Sequence, residues 1–100
     1  PSCRQPESRI QVKPLDSFNF TQRVFLFKIE AEGFEKEVIE GAQKTLKNTK
    51  YVAIDCGKER GIDCDHTVTQ CFNLLFNSGF TLLWVDFHLN EFRAIFKNIK

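Results

Sequence analysis

Hydrophobic and polar residues follow two periods along the chain, and these periods predict alternating strands and helices. Residues 23–29 (RVFLFKI) form a nearly continuous apolar run, and residues 50–56 (KYVAIDC) form a second one. Runs of this length and β-favouring composition are typical of strands buried on both faces. Residues 9–13 (RIQVK) alternate and predict a short extended segment before them.

Two other segments carry the helical period. Residues 34–48 repeat apolar side chains at helical spacing, with acids in the first turns and lysines in the last, which suits the helix dipole. Residues 66–78 carry a second apolar stripe and predict a second helix. Asp65 is expected to cap the start of this helix, and Gly79 is expected to end it at the C′ position. The polar segment 57–64 (GKERGIDC) is expected to be a loop.

The last two strand-like runs, 80–87 and 91–98, are separated by a turn short enough to predict an antiparallel hairpin. The order is therefore strand, helix, strand, helix, strand, strand. We expect the first three strands to be parallel, with right-handed crossovers, and the last to be antiparallel at or near an edge. The sequence thus predicts a small α/β sheet with helices on its faces.

Length and charge limit the function classes. The 100 residues fit one small domain, and 14 basic against 13 acidic residues leave a net charge of +1. No basic face is implied, so nucleic acid is not an expected partner. The apolar runs are shorter than the ~20 residues that cross a bilayer, so no membrane partner is expected. The polar start of the chain shows no signal peptide, which favours a cytoplasmic location.

The four cysteines, at positions 3, 56, 64 and 71, leave alternatives open. Cys71 lies in an apolar stripe and is expected to be a buried thiol. Cys56 and Cys64 flank one segment and would pair in an oxidising compartment, although reduced thiols are favoured. A zinc set with His66 is a further alternative, but no CxxC pair supports it.

Carboxylates gather where the two buried strands end. Glu30 and Glu32 follow the first strand, and Asp55 lies at the end of the second. In open parallel sheets ligands bind at the carboxyl ends of strands, so a site is expected there. Acids also stabilise a helix N-terminus without any function, by ~0.3–1 kcal/mol. Lys28 lies inside a buried strand, where a lysine must be paired or must reach the rim.

Phosphate binding needs a glycine-rich turn, and neither GxGxxG nor GxxxxGK occurs here. The chain therefore carries no nucleotide cradle of its own.

The segment FKIEAEGFEKEVIEGAQKTLKNTKYVAIDCG, residues 27–57, resembles the C-terminal half of FkbM-type methyltransferases, whose hallmark is roughly LKID-x-EG-x-E-x-x-V-L-x-GA. Eight positions match this hallmark: Lys28, Ile29, Glu32, Gly33, Glu35, Val38, Gly41 and Ala42. VKPLDSF at 12–18 and FRAIFKN at 92–98 also resemble family segments, so the resemblance covers roughly residues 12–98.

This resemblance implies a class I (Rossmann-like) methyltransferase sheet, mostly parallel with a terminal antiparallel hairpin. Family members use S-adenosylmethionine and mostly methylate hydroxyl groups of small molecules or sugars. Their glycine-rich cofactor loop would lie before Pro1. Residues 1–100 are therefore expected to be a single partial domain, the C-terminal part of a methyltransferase, which holds little of the cofactor site and is inactive alone.

The resemblance also assigns roles to residues. It implies that Glu30, Glu32 and Lys28 are catalytic, with Glu30 standing where the family has Asp. Contacts to the methyl acceptor would come from four further residues, namely Gly33, Asp55, Lys58 and Arg60. No metal ligand is assigned.

The partner expected from the resemblance is a small-molecule methyl acceptor. In a partial sheet, strand 23–29 would leave one edge open, so self-association through that edge is expected, unless residues 1–13 fold back over it. One alternative is a non-catalytic assembly module that pairs through the same edge. Another is a small metal-binding enzyme that uses Glu30, Glu32 and Asp55.

Overall fold

The computed structural model describes residues 9–60, 65–88 and 91–100, apart from the side chains of 58–60 and 65–66. A 3-10 helix at Leu15–Phe18 comes first. The strands and helices that follow are, in chain order, β1 (Val24–Ile29), α1 (Glu35–Glu40), α2 (Gln43–Lys47), β2 (Thr49–Arg60), β3 (Asp65–His66), α3 (Val68–Asn77), β4 (Phe80–His88) and β5 (Glu91–Asn98).

The main sheet is mixed, with the strand order β1-β2-β5-β4. β1 and β2 are parallel, whereas β5 is antiparallel to both of its neighbours. The predicted terminal hairpin is confirmed as β4 and β5. The prediction of a mostly parallel sheet is not confirmed, because only one of the three pairings in the main sheet is parallel.

The last strand, β5, lies next to the edge strand β4, which agrees with the prediction that it is at or near an edge. After β2 and α3, the chain enters the sheet at its edge as β4, not directly beside β2. β5 then returns antiparallel and occupies the position between β2 and β4. The burial of β5 agrees with an interior position, because Ala94 and Phe96 are buried in the core.

The sequence predicts helices on the faces of the sheet, and the three described α-helices all pack on one of these faces. Apolar residues from these helices and from the alternate positions of the strands form one core: Ile29, Ile39, Ala42, Leu46, Val52, Ile54, Cys56, Cys71, Leu75, Phe80, Ala94 and Phe96. The opposite face carries the intervening strand positions, among them Ala53 and the exposed Trp84. We call this opposite face the open face.

Within the described residues, strand β1 lies at the edge of the sheet and pairs with β2 alone. Its predicted burial on both faces is wrong, because several of its side chains are exposed. Phe25 keeps 68% of its surface exposed and Leu26 keeps 52%, while Ile29 at the end of the strand is buried.

The predicted helix at 34–48 is broken into α1 and α2 at Gly41–Ala42. The segment before β1 packs against this break, where a Cβ on Gly41 would lie 3.0 Å from Pro14 Cβ. Asp16 N donates to Gly41 O at 2.9 Å, and the Asp16 carboxylate accepts from the backbone N–H groups of Lys44 (2.7 Å) and Thr45 (2.8 Å). Asp16 thus starts the second helix, a role that helical periodicity does not reveal.

Two predicted boundaries also change. Residues 57–60 continue β2 instead of forming a loop, and β2 pairs with β3 through Lys58 and His66. Asp65 lies in β3, and the N-cap of α3 is Thr67. Gly79 closes the helix as predicted, with φ of +91°. Residues 9–13 form no strand.

Candidate functional site

A cleft of ≈ 370 Å³ opens on the open face, across β1, β2, β5 and β4. Its lining combines two cations and two carboxylates with apolar side chains: Lys28, Glu30, Ala53, Ile54, Asp55, Trp84, Arg93, Ala94 and Ile95. The cleft therefore joins charged groups to the apolar surface that the helices leave uncovered.

Strand register explains why these charges meet. Lys28 lies beside Ala53 in the parallel pair, so Glu30 and Asp55, each two residues further on, project to the same face. Arg93 lies opposite Asp55 in the antiparallel pair. Glu30 thus lies just past the carboxyl end of β1, and Asp55 lies in β2 just past its last pair with β1, on the side of the parallel pair where ligands bind in open α/β sheets.

The charges form two loose pairs. Lys28 Nζ lies 3.8 Å from Glu30 Oε1, and Arg93 Nε lies 3.7 Å from Asp55 Oδ2. The Lys28, Glu30 and Arg93 side chains are largely exposed, whereas Asp55 keeps only 21% of its side-chain surface. Exposed pairs at these distances add little stability, so the groups remain available to a ligand.

The surroundings of Asp55 in the cleft change the pKa of its carboxyl group. Burial, together with the nearby carboxylates of Glu91 and Glu30, raises the pKa of Asp55 above its ordinary value, and Arg93 and Lys28 offset only part of this effect. A raised pKa makes the ionised Asp55 carboxylate a stronger base than that of a free aspartate.

The turn between β1 and α1 is held by a buried carboxylate, that of Glu35, which is 0% exposed. Glu35 accepts from Ala31 N at 2.8 Å and from Gly33 N at 3.2 Å, and Thr67 Oγ1 donates to it at 3.1 Å. Between the two amides lies Glu32, which has a left-handed φ of +48°, and Gly33 follows with +104°. Glu35 therefore fixes a strained turn directly after Glu30.

Only some of the predicted site residues lie together. Lys28, Glu30 and Asp55 line the cleft. Glu32 is exposed on the turn and Gly33 is buried beneath it, and neither lines the cleft. The other two predicted residues, at 58 and 60, belong to β2, but their side chains lie outside the described part of the structure.

Sequence reasoning missed Arg93, Trp84 and Glu35. The two cleft residues enter through β5 and β4, and Arg93 meets Asp55 because β5 lies next to β2, a placement that the sequence analysis did not predict. Glu35 was visible only as one of several acids at a helix start. What distinguishes Glu35 from the other acids is its position two residues after Gly33, in a turn that needs positive φ.

Cys56 and Cys71 are buried free thiols. A hydrogen bond with Cys71, together with burial, raises the pKa of Cys56. Cys64 lies outside the described residues, as does any pairing it makes. Among the side chains that the structure describes, those of 9–57, 67–88 and 91–100, no three histidine, cysteine or acidic groups converge as metal ligands.

Among the helices that the structure describes, none combines the length and the apolar character needed to cross a bilayer.

Comparison with known proteins gives one match. The model of the Methyltransferase FkbM domain matches residues 5–65, which is more than half of the 100-residue chain. Searches of curated proteins and of solved structures give no significant match. The matched range includes β1, both helices after it and β2, and therefore the carboxylates of the cleft.

Proposed function

This chain belongs to the FkbM methyltransferase domain family, and from that premise we propose that it forms the acceptor-binding part of an S-adenosylmethionine-dependent methyltransferase. The proposed acceptors are hydroxyl groups of small molecules or sugars. The proposed fold is the class I, Rossmann-like sheet. Support comes from the hairpin strand β5, which is inserted antiparallel beside β2, a departure from a plain dinucleotide-binding sheet.

The observation that carries the proposal is the position of Glu30 and Asp55. They lie in one cleft, just past the last residue pair of the parallel strands β1 and β2, within the range that the family model matches. Apolar surface from Trp84 and Ile95 continues the cleft, so a ligand with one polar and one apolar side would fit it.

The described residues do not fit the cofactor side of such a site. The one turn at the end of β1 has a single glycine, Gly33, and its N–H donates to the Glu35 carboxylate. That amide is therefore not free to bind the cofactor, and the chain has no glycine-rich loop. We therefore propose that the 100 residues are a partial domain that binds little S-adenosylmethionine alone, and we derive no step that involves the cofactor.

On the acceptor side, each cleft residue has a defined task in this proposal. Glu30 accepts a hydrogen bond from the acceptor hydroxyl, and Lys28 holds the Glu30 carboxylate in place. Asp55, whose pKa is raised, is suited to accept a proton, and Arg93 orients it. Glu32, which is exposed on the turn after β1, and the residues at 58 and 60 are proposed as further contacts to the acceptor, whereas buried Gly33 is proposed to act only through the shape of that turn.

The test measures methyl transfer from labelled S-adenosylmethionine to a panel of sugars and small hydroxyl compounds. The chain is assayed alone and joined to the sequence encoded directly upstream of it. We expect transfer only by the longer protein, and a loss of at least tenfold with Glu30→Gln. Glu40→Gln is the matched control, because Glu40 is exposed on α1 away from the cleft. Full activity of the Glu30→Gln variant would contradict the role of Glu30.

A second candidate function is favoured by one specific observation. β1 ends the sheet with its outer edge unpaired in the described structure, and Phe25 and Leu26 on it are exposed. An apolar edge strand of this kind is a template for another strand. We therefore also propose a non-catalytic assembly role, in which two copies associate through β1. An unrelated upstream sequence would favour this role over the first.

A further inference from the structure

A second, smaller cleft of ≈ 160 Å³ has a strongly basic lining. Five of its eight lining residues are cationic and none is acidic: Arg23, Lys47, Asn48, Thr49, Lys50, Lys97, Asn98 and Lys100. We call it the basic cleft. Because the whole chain carries a net charge of only +1, this grouping is a local excess rather than a general property of the surface.

The basic cleft lies at the opposite end of the sheet from the cleft with Glu30 and Asp55. It forms where β1 and β2 begin and β5 ends, near the pairs Val24–Thr49 and Tyr51–Lys97. Lys50 and Asp55 lie five positions apart along β2, a distance of about 17 Å at the usual strand rise. The two clefts are therefore distinct sites.

The charges of the basic cleft are uncompensated within the described structure. Lys28 and Arg93 in the other cleft have carboxylates within 4 Å, but none of the five cations here has a described ion-pair partner. Only Lys50 has a local partner of another kind, since its Nζ lies 5.7 Å from the Phe25 ring centroid and 5.4 Å from that of Tyr51. Like charges held together without counter-charges repel one another, which favours anion binding.

The backbone beneath these cations is tied together by two asparagines. Asn98, only 9% exposed, donates to Leu46 O and to Thr49 O, and its Oδ1 accepts from Lys100 N. Asn48 Nδ2 donates to Gln22 O at 3.1 Å. These hydrogen bonds hold together the segment before β1, the end of α2, the start of β2 and the end of β5, which carry the cations. Ligand binding therefore does not have to order their backbone.

From these observations we propose that the basic cleft binds a compact oxyanion with more than one negative charge, of the oligophosphate type. The volume admits a small phosphate group rather than a large ligand, and ammonium and guanidinium groups are the donors that phosphate oxygens prefer. The source of the phosphate is either a free small molecule or a phosphorylated lipid headgroup. This proposal does not depend on methyl transfer.

The experiment titrates pyrophosphate into the purified chain by calorimetry, at constant ionic strength set with chloride. We expect binding that the double variant Lys47→Gln/Lys97→Gln weakens at least tenfold, since each lysine supplies a charge-assisted contact. Affinity is also expected to fall as salt is raised. Lys13→Gln is the matched control, because Lys13 is exposed and lies outside the basic cleft. The affinity of this variant for pyrophosphate should equal that of the unmodified chain.

Circular dichroism of each variant separates lost binding from lost folding, because the lysines at 47 and 97 are exposed. A parallel arm uses vesicles with and without a phosphoinositide, and binding only to the phosphoinositide vesicles would identify the lipid headgroup as the source. No binding of either probe overturns the proposal, as does pyrophosphate binding that the double variant leaves unchanged. Tighter binding of single-stranded DNA than of pyrophosphate would overturn the assignment to a small ligand.

Discussion

The Glu35 carboxylate accepts a hydrogen bond from Thr67 Oγ1 at 3.1 Å, although the two residues lie 32 positions apart. Thr67 N in turn donates to Gly57 O at 3.3 Å. This contact therefore links the turn after β1, the start of α3 and the far part of β2. The arrangement of the candidate site depends on a residue outside the cleft.

Replacing Glu35 is expected to destabilise the protein strongly. Glu35→Ala leaves the amides of Ala31 and Gly33 and the Thr67 hydroxyl without their buried acceptor, and should lower the free energy of unfolding by about 3 kcal/mol. Glu35→Gln retains one acceptor oxygen and should cost less. Urea denaturation measures both, with the exposed Glu40→Gln as control. Equal stability of the alanine variant and the control would show that the buried contacts contribute nothing.

Asp16 is expected to make stability depend on acid pH. Burial opposes its ionisation, but hydrogen bonds from Lys44 and Thr45 outweigh burial and lower the pKa of Asp16 below 3.8. Because the folded pKa is depressed, this stabilisation is present above the unfolded value and is lost as pH falls through the folded value. Asp16→Ala should cost about 1 kcal/mol at pH 7, as for the loss of a helix cap. Unfolding at pH 7 and at successively lower pH should show the difference shrinking below pH 3.8; a constant difference would argue against the carboxylate.

Asp55 should behave in the opposite way. Its pKa is raised above 3.8 by burial and by Glu91 and Glu30, so the folded state loses stability as pH rises from the unfolded value through the folded value. Asp55→Asn should therefore be neutral or stabilising at pH 7 and without benefit below pH 3.8. Carboxyl NMR should show Asp55 titrating above 3.8, and higher still in Arg93→Gln, which removes an opposing charge. A titration at or below 3.8 would refute the effect of the cleft.

The outer edge of β1 should control the oligomeric state. Leu26 is 52% exposed on that strand, and Leu26→Lys places a charge there, which disfavours strand pairing. We expect the unmodified chain to form dimers or larger species in sedimentation velocity and the variant to sediment as a monomer. Val12→Lys is the control, because Val12 is 89% exposed but lies outside β1. A monomeric unmodified chain would exclude association through this edge at the concentrations used.

The main elements could be predicted because their residues are periodic. The runs at 23–29 and 50–56 became β1 and the first part of β2, and the hairpin followed from two runs with a short turn. The break in the helix at 34–48 could not be predicted, because its cause is Asp16, which lies far away in sequence and caps α2. Local periodicity carries no information on such a contact.

The candidate site was likewise only partly predictable. Lys28, Glu30 and Asp55 follow from the rule that ligands collect at strand ends, and this rule needs only the order of the elements. Arg93 requires the order of strands in the sheet, which depends on the path of the chain through α3. Glu32 does not line the cleft, because its positive φ lies in a turn that Glu35 holds through hydrogen bonds from Ala31 and Gly33.

Helices on one face of the sheet leave the molecule thin, with a shortest dimension of 18 Å. Aromatic and aliphatic side chains such as Phe25, Leu26 and Trp84 already contact solvent in the folded state. Unfolding of a single copy therefore hydrates less additional apolar surface than is usual for its length. The heat-capacity change of unfolding should fall below the roughly 1.2–1.5 kcal/mol/K expected for 100 residues, and the stability of the monomer should vary only weakly with temperature.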